Sequence, residues 1–228
     1  MYELSSLLCS LLCSLLCSLL SSLLTSVRPQ IEIQVGQQWH QAPGAITNAD
    51  MITVGRGVSP GVQPGMSAGQ YRIEMYMYAV LASPLVLSFD LRTLNDPANA
   101  NAKALITNKE LIEINQDKDA VMGSKVYTHG RNSWMVNVWI KPLSDGSFAV
   151  ALVNRDPTEM HRVSLNFGSD NTDSDFFSGP ASTKATVRDV GHLKDLGTFD
   201  SVFNATLPPM DGLLLRFTFV GAAERQKL

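Results

Sequence analysis

The hydrophobic pattern of this 228-residue chain changes period at about residue 122. Beyond Gly123, short runs alternate polar with apolar residues: Trp134 to Ile140, Phe148 to Asn154, Arg162 to Phe167, Lys184 to Val190 and Gly212 to Phe219. Turn-forming clusters separate them at Ser144-Asp145-Gly146, Asn154 to Pro157, Ser169 to Asp175 and Pro208-Pro209. Short alternating runs between regular turns predict an antiparallel β-sandwich, because each strand buries one face and wets the other.

Ahead of that boundary the pattern is mixed. Val27, Ile31 and Val35, with Gln38 and Trp39, predict a half-buried helix over 25–41, with Pro29 tolerated in its first turn. Pro43-Gly44 breaks the chain, and Met51-Ile52-Thr53-Val54 reads as a short strand entering a Gly/Pro-rich loop from Gly55 to Gly65. Ser67 is a suitable N-cap for a helix from Ala68 to Ala82, whose Tyr71, Met75, Tyr78, Ala79 and Ala82 share a face. Pro84 stops it. Leu85-Val86-Leu87-Ser88-Phe89 then has the unbroken apolar character of a strand covered on both faces of a parallel sheet. A further amphipathic helix is expected over 101–114 through Ala104, Leu105, Leu111 and Ile114. Strand, helix, strand, helix is the βα repeat of a parallel α/β layer.

Residues 5–24 are nearly pure Ser-Leu-Leu-Cys repeat and hold all three cysteines, Cys9, Cys13 and Cys17. The rest of the chain therefore has no disulfide framework and no thiolate metal site. On a helix the period of four drifts by about 40° per repeat, so the cysteines form a slowly winding stripe. The tract is long enough for membrane contact, but Glu3 and the lack of Lys or Arg in the leader argue against a signal peptide. A CxxxC metal stripe lacks His or Asp partners, which leaves a low-complexity repeat as the favoured reading.

A net charge of −3 and a pI near 5.8 leave no basic footprint, so nucleic acid is excluded as a partner. His40, His129, His161 and His192 are far apart without metal-ligand spacing, and Gly55 to Gly65 lacks the Lys-Ser/Thr ending of a phosphate loop. No metal and no cofactor is expected. Trp134 and Trp139 read as core residues, Asp90 with Arg92 as a structural ion pair, and Asp117 as a cap at the last helix or the junction. Asn204-Ala205-Thr206 is a glycosylation sequon for a chain that enters the secretory path.

Four ordered blocks carry a resemblance. Pro43-Gly44-Ala45-Ile46-Thr47-Asn48-Ala49-Asp50-Met51-Ile52 is similar to a Pro-Gly-Gly-Trp-Asn-Asp-Pro-Asp-Met-Leu segment. Ser67 to Arg92 is similar to a stretch ending A-P-L-x-x-x-x-D-x-R, and Glu113-Ile114-Asn115-Gln116-Asp117 matches I-A-V-N-Q-D. Val187-Arg188-Asp189 through Lys194-Asp195-Leu196-Gly197-Thr198-Phe199, with Leu207-Pro208-Pro209, looks like an R-D-L-W-x-H-x-D-L-G strand pair. Together these blocks resemble the C-terminal part of the α-galactosidase (melibiase) family of retaining glycoside hydrolases.

The resemblance implies an α/β plus all-β fold, an incomplete C-terminal portion of a (β/α)₈ TIM barrel followed by an antiparallel β-sandwich. The expected divisions are a repeat over 1–26, the last βα units of the barrel over 27–122, the sandwich over 123–220 and a tail over 221–228. It implies hydrolysis of terminal α-galactosyl residues with retention, through one carboxylate that attacks the anomeric carbon and another that protonates the leaving oxygen. No carboxylate here matches either motif, so no catalytic residue is assigned and the chain alone is expected to be inactive. Asp50 and Met51 are carried over as substrate-binding residues: the carboxylate accepts hydrogen bonds from sugar hydroxyls and the thioether packs on the ring face. Ile46, Thr47, Asn48 and Ala49 replace Trp, Asn, Asp and Pro of the family segment. The implied partner is an α-galactoside, family members are often homodimeric, and their compartment is secretory or lysosomal-like. The alternative is a carbohydrate-binding or accessory β-sandwich module without catalysis.

Overall fold

The computed structural model describes residues 34–55, 66–129, 135–167 and 184–220. The Ser-Leu-Leu-Cys repeat, Trp134 and the Gly/Pro-rich loop before Met66 lie outside these residues, as does the C-terminal tail.

Helix α1 (Ala68–Leu81) forms where the apolar spacing predicts it. Ser67 closes a capping box, its side chain accepting from Gln70 N at 3.2 Å while the Gln70 side chain accepts from Ser67 N at 2.8 Å. Ser67→Ala is expected to cost about 1 kcal/mol of stability by urea denaturation, since Gln70 N loses its capping partner. The helix ends at Ala82, which adopts a left-handed φ of 50°. The single apolar face predicted for α1 is an underestimate: every residue from Ile73 to Ala82 is buried. The helix lies between the extended segments around Ile52 and Leu87, two short helices and a sheet, so it has no wet side in this stretch.

The two predicted strands before and after α1 are reduced to one parallel contact, Ile52 with Leu87. Ile52 N donates to Val86 O at 2.7 Å and Ser88 N to Ile52 O at 3.1 Å. Ile52 and Val54 are buried, but Val86 is 44% exposed, so the run 85–89 is not covered on both faces. Among the described residues, no further strand lies beside this pair to extend it into a sheet. The helix predicted over 25–41 is contradicted in its described part: Gly36, at φ 84°, forms a turn, and only a 3₁₀ turn (Gln38–His40) follows. A left-handed glycine there breaks the helical register.

The helix predicted over 101–114 is two helices, α2 (Ala100–Ile106) and α3 (Lys109–Asn115). Asn108 makes the break. Its Oδ1 accepts from Leu111 N at 3.1 Å as the cap of α3, and its Nδ2 donates to Val190 O at 2.8 Å. One buried amide thus starts a helix and ties it to Val190, 82 residues further along the chain.

Among the described residues eight strands follow: β1 (Ser124–His129), β2 (Val136–Pro142), β3 (Phe148–Asn154), β4 (His161–Asn166), β5 (Lys184–Asp189), β6 (Lys194–Asp200), β7 (Val202–Leu207) and β8 (Asp211–Phe219). Six form one antiparallel sheet in the order β1-β2-β3-β8-β5-β6, and β4-β7 form the second. Five of these strands match the predicted runs. The strand pair implied around Val187 to Phe199 is β5–β6, with Thr186 opposite Thr198.

The larger sheet is covered on both sides. Trp139, Ala149, Ala151, Val153 and Leu214 face α1, while Val138, Val150, Leu152, Leu215 and Phe217 face Val163, Leu165, Phe203 and Ala205 of the smaller sheet. That is why all seven residues of β3 are buried and its sequence is nearly unbroken apolar. Trp139 is 1% exposed, as expected of a core residue. Phe167, Phe203, Phe217 and Phe219 add edge-to-face contacts at centroid distances of 5.7–5.8 Å inside the sandwich.

Polar ties lock the helices to the sheet. Arg72 of α1 donates twice to Asp211, at 2.7 and 2.6 Å, a planar two-bond match of guanidinium to carboxylate. Arg188 of β5 grips Glu110 of α3 in the same way at 2.7 and 2.6 Å. Asp117 accepts from both N and Oγ of Ser144, at 3.0 and 2.8 Å, joining the end of α3 to the β2–β3 turn.

Candidate functional site

The segment Asn48 to Thr53 is an exposed turn held rigidly from behind. Asn48 Oδ1 accepts from Asp50 N at 2.9 Å, folding the chain back on itself. Asp50 consequently sits at φ 78°, a left-handed conformation that asparagine and aspartate tolerate better than most residues. Ala49 is buried, and its N–H donates to Ser83 Oγ at 2.8 Å. Tyr78 Oη, from the core side of α1, lies 2.8 Å from Ala49 O and 2.9 Å from Asp50 O, donating to this pair of carbonyls. Burial, with the negative charges of Glu74 and Asp50 nearby, raises the Tyr78 phenol well above its usual range, so it remains a donor.

These bonds leave the Asp50 and Met51 side chains on the surface, Met51 at 45% exposure. Asp50 Oδ1 accepts from Met51 N at 2.8 Å. The pair precedes the bridging residue Ile52 rather than following a described strand. The replaced family positions have local duties. Asn48 makes the turn, Thr47 Oγ1 donates to Gln41 Oε1 at 2.6 Å, and Gln41 Nε2 donates to Leu81 O and Ala120 O at 3.1 and 3.2 Å. Ile46, where the family segment has tryptophan, is 49% exposed.

Asp90 and Arg92 form an exposed ion pair at 2.7 Å, and Asp90 also accepts from Arg92 N. The Arg92 bonds hold the Asp90 carboxyl below its ordinary range. This is the structural role expected of the two residues. His161 lies 3.2 Å from Asp156, and His192 Nδ1 lies 2.9 Å from Asp189. Asp156, Glu159 and His161 bring potential ligand atoms within 4.8 Å of one another. Asp156 Oδ1 is already filled by Thr158 N, Thr158 Oγ1 and Glu159 N, which accounts for the group as a turn. Its backbone donors lower the Asp156 carboxyl strongly.

Among the described acidic and basic groups that sequence reasoning missed, Glu74 and Lys141 are the most deeply enclosed. Glu74 of α1 is 1% exposed, and its Oε1 accepts from both N and Oγ1 of Thr53, each at 2.9 Å. Burial raises its carboxyl to about 7, against the pull of the Thr53 and Val54 donors. Lys141 of β2 is fully buried, with Nζ donating to Ala79 O and Ile114 O at 3.2 and 2.5 Å. Burial lowers it to about 8. The signal for Glu74 was present: one charge in the run Ile73-Glu74-Met75-Tyr76-Met77-Tyr78-Ala79-Val80-Leu81, where a helix with no wet side must bury it.

Residues 25–117 match the "Alpha galactosidase A" family profile, and residues 134–217 match "Alpha galactosidase C-terminal beta sandwich domain". The chain is 35% identical over 116 residues to an α-galactosidase of Cyamopsis tetragonoloba, covering 51% of this chain and 25% of that one. In structure it resembles α-galactosidase I from Mortierella vinacea, with a TM-score of 0.65 and 24% identity over 79% of this chain and 41% of that one. It also resembles the Saccharomyces cerevisiae α-galactosidase solved with raffinose, with a TM-score of 0.65 and 15% identity over 83% and 50%. The chain thus spans between a quarter and a half of the length of these relatives. Two consecutive family profiles in order, the second on an antiparallel sandwich, place the chain in the α-galactosidase family of glycoside hydrolases.

Proposed function

We propose that this chain serves in hydrolysis of terminal α-galactosyl residues with retention, and that Asp50 and Met51 touch the sugar. The observation that carries this reading is the Asn48–Met51 turn. It belongs to the segment that resembles the family's sugar-contacting stretch, and Ser83 and Tyr78 fix its backbone while leaving one carboxylate and one thioether exposed. A carboxylate accepts from vicinal hydroxyls and a thioether lies against the C–H face of a pyranose, the combination that orients a galactosyl ring. The yeast relative's structure with raffinose supports an α-galactoside as the ligand class.

The two reacting carboxylates of a retaining site stand about 5–5.5 Å apart across the scissile bond. Neither family motif for them occurs in these 228 residues, so the chain contributes the binding floor and the sandwich, with the reacting carboxylates supplied from outside it. The test is calorimetric titration with methyl α-galactoside. Wild type is expected to bind in the millimolar range, and Asp50→Ala to weaken binding by about tenfold, or about 1.4 kcal/mol. Met51→Ala should weaken it less, through lost ring contact alone. Equal affinity in wild type and Asp50→Ala would remove Asp50 from the site.

A further inference from the structure

Glu74 lies directly behind this turn, and nothing in the hydrolytic reading uses it. Its Oε1 accepts both Thr53 bonds, whereas Oε2 is buried and has no hydrogen-bond partner. Val54 N–H lies near enough to favour the anion but does not complete a bond to Oε2. A carboxylate anion needs both oxygens solvated; a neutral carboxyl needs one good acceptor oxygen and a place for its proton. The geometry fits the neutral acid.

The titratable group that faces Glu74 is Tyr78, one turn along α1, whose phenol also feels the charge of Asp50. Thr53 contributes only its hydroxyl and N–H, and Met66 Sδ accepts from Thr53 Oγ1 at 3.9 Å. Among the described residues no cation lies against the carboxyl. Adding a negative charge at Glu74 therefore leaves an unsolvated, uncompensated oxygen under the sugar-facing turn.

We propose that Glu74 is a positioning residue for the Asp50–Met51 turn, its neutral carboxyl keeping Thr53 and the turn packed. The buried, half-solvated anion left when the proton departs favours local opening of the turn, although the Thr53 bonds themselves favour the anion. This inference rests on the sugar-contact reading only for its consequence; the proton-dependent hold on Thr53 stands on the Glu74 geometry. The unfolded carboxyl titrates near 4.5 and the buried one near 7. The folded chain thus gains stability from this proton below about pH 4.5 and loses that gain as pH rises to 7. Above about pH 7 both the folded and the open states carry the anion, and no further stability is lost.

The experiment follows amide exchange of residues 50–54 in the full chain from pH 5.5 to 8, corrected for intrinsic rate, in wild type and Glu74→Gln. Methyl α-galactoside titrations are run in parallel. Wild type is expected to lose about tenfold in protection per pH unit between pH 5.5 and 7, to level off above 7, and to bind the sugar more weakly above pH 7 than at pH 5.5, with both profiles flat in Glu74→Gln. Carbon NMR of the Glu74 carboxyl in wild type gives a readout that needs no variant, with its inflection expected near pH 7. Flat wild-type protection, an inflection near 4.5, or an unchanged profile in Glu74→Gln would each overturn the proposal. PH-dependent protection with no sugar binding at any pH would uphold the Glu74 role and overturn the sugar contact.

Discussion

Gly191→Ala will destabilise the fold by about 3 kcal/mol, the upper range for forcing volume into a packed core. A Cβ at residue 191 would lie 1.8 Å from Tyr76 Oη and 2.6 Å from Tyr76 Cζ. Tyr76 has no exposed surface and sits in the fully buried stretch of α1, so its ring has nowhere to move. The clash is therefore with a fixed aromatic group rather than the end of a flexible chain. Tyr76 Oη also has no hydrogen-bond partner, and burial raises the phenol well above its usual range. Tyr76→Phe is accordingly expected to be neutral or to stabilise by about 1 kcal/mol, because it removes an unsatisfied buried hydroxyl. Combined with Gly191→Ala, it should recover part of the loss by relieving the shortest contact. Urea denaturation of the four proteins gives the coupling energy directly. Additive effects would mean that the ring does not fill the space over Gly191.

The second large effect concerns alkaline pH. Lys141 is fully buried against the carbonyls that end α1 and α3, and burial holds it near 8 against an ordinary 10.5. Below pH 8 both folded and unfolded chains carry this charge. Between about 8 and 10.5 the unfolded lysine keeps its proton and the folded one has lost it, so stability rises with pH. The rise amounts to roughly 3 kcal/mol at most, from about 1.4 kcal/mol for each unit of displacement. Tyr76 and Tyr78 act in the opposite sense above pH 10, where unfolded phenols ionise and the buried ones do not. A stability maximum between about pH 9 and 10 is expected in urea denaturation. Lys141→Met should abolish the rise and leave a flat profile up to pH 10. A Lys141→Met profile that still rises would place the titrating group elsewhere.

Periodicity revealed the parts of the fold that depend on one element at a time. Helix α1 matched because Ser67, the apolar spacing and the stop at Pro84 are local signals. The five predicted strands matched because each has a side facing the sandwich core. Apart from β7, the misses are tertiary in origin. Strand β6 has an exposed pattern throughout most of its length because it is the sheet edge, so no alternation marks it. Strand β7 does alternate, with Phe203, Ala205 and Leu207 buried, and that signal was readable. The break between α2 and α3 depends on Asn108 bonding to Val190, 82 residues away, which no local window contains. The runs around Ile52 and Leu87 have barrel-strand composition, yet a strand exists only with neighbours to pair with, and they have mainly each other.

The candidate site shows the same division. Asp50 and Met51 came from a short ordered resemblance, and the structure explains how Asn48, Ser83 and Tyr78 present them. Glu74 and Lys141 were passed over because a charge inside an apolar run is ordinarily solvated at the edge of its element. Here α1 is enclosed on all sides, and both charges are trapped at its surface.

The most direct test of the central claim is hydrolysis of 4-nitrophenyl α-galactoside by the purified 228-residue chain. The account predicts binding that depends on Asp50 and no turnover above buffer. Turnover by this chain alone that is lost in Asp50→Ala would contradict it.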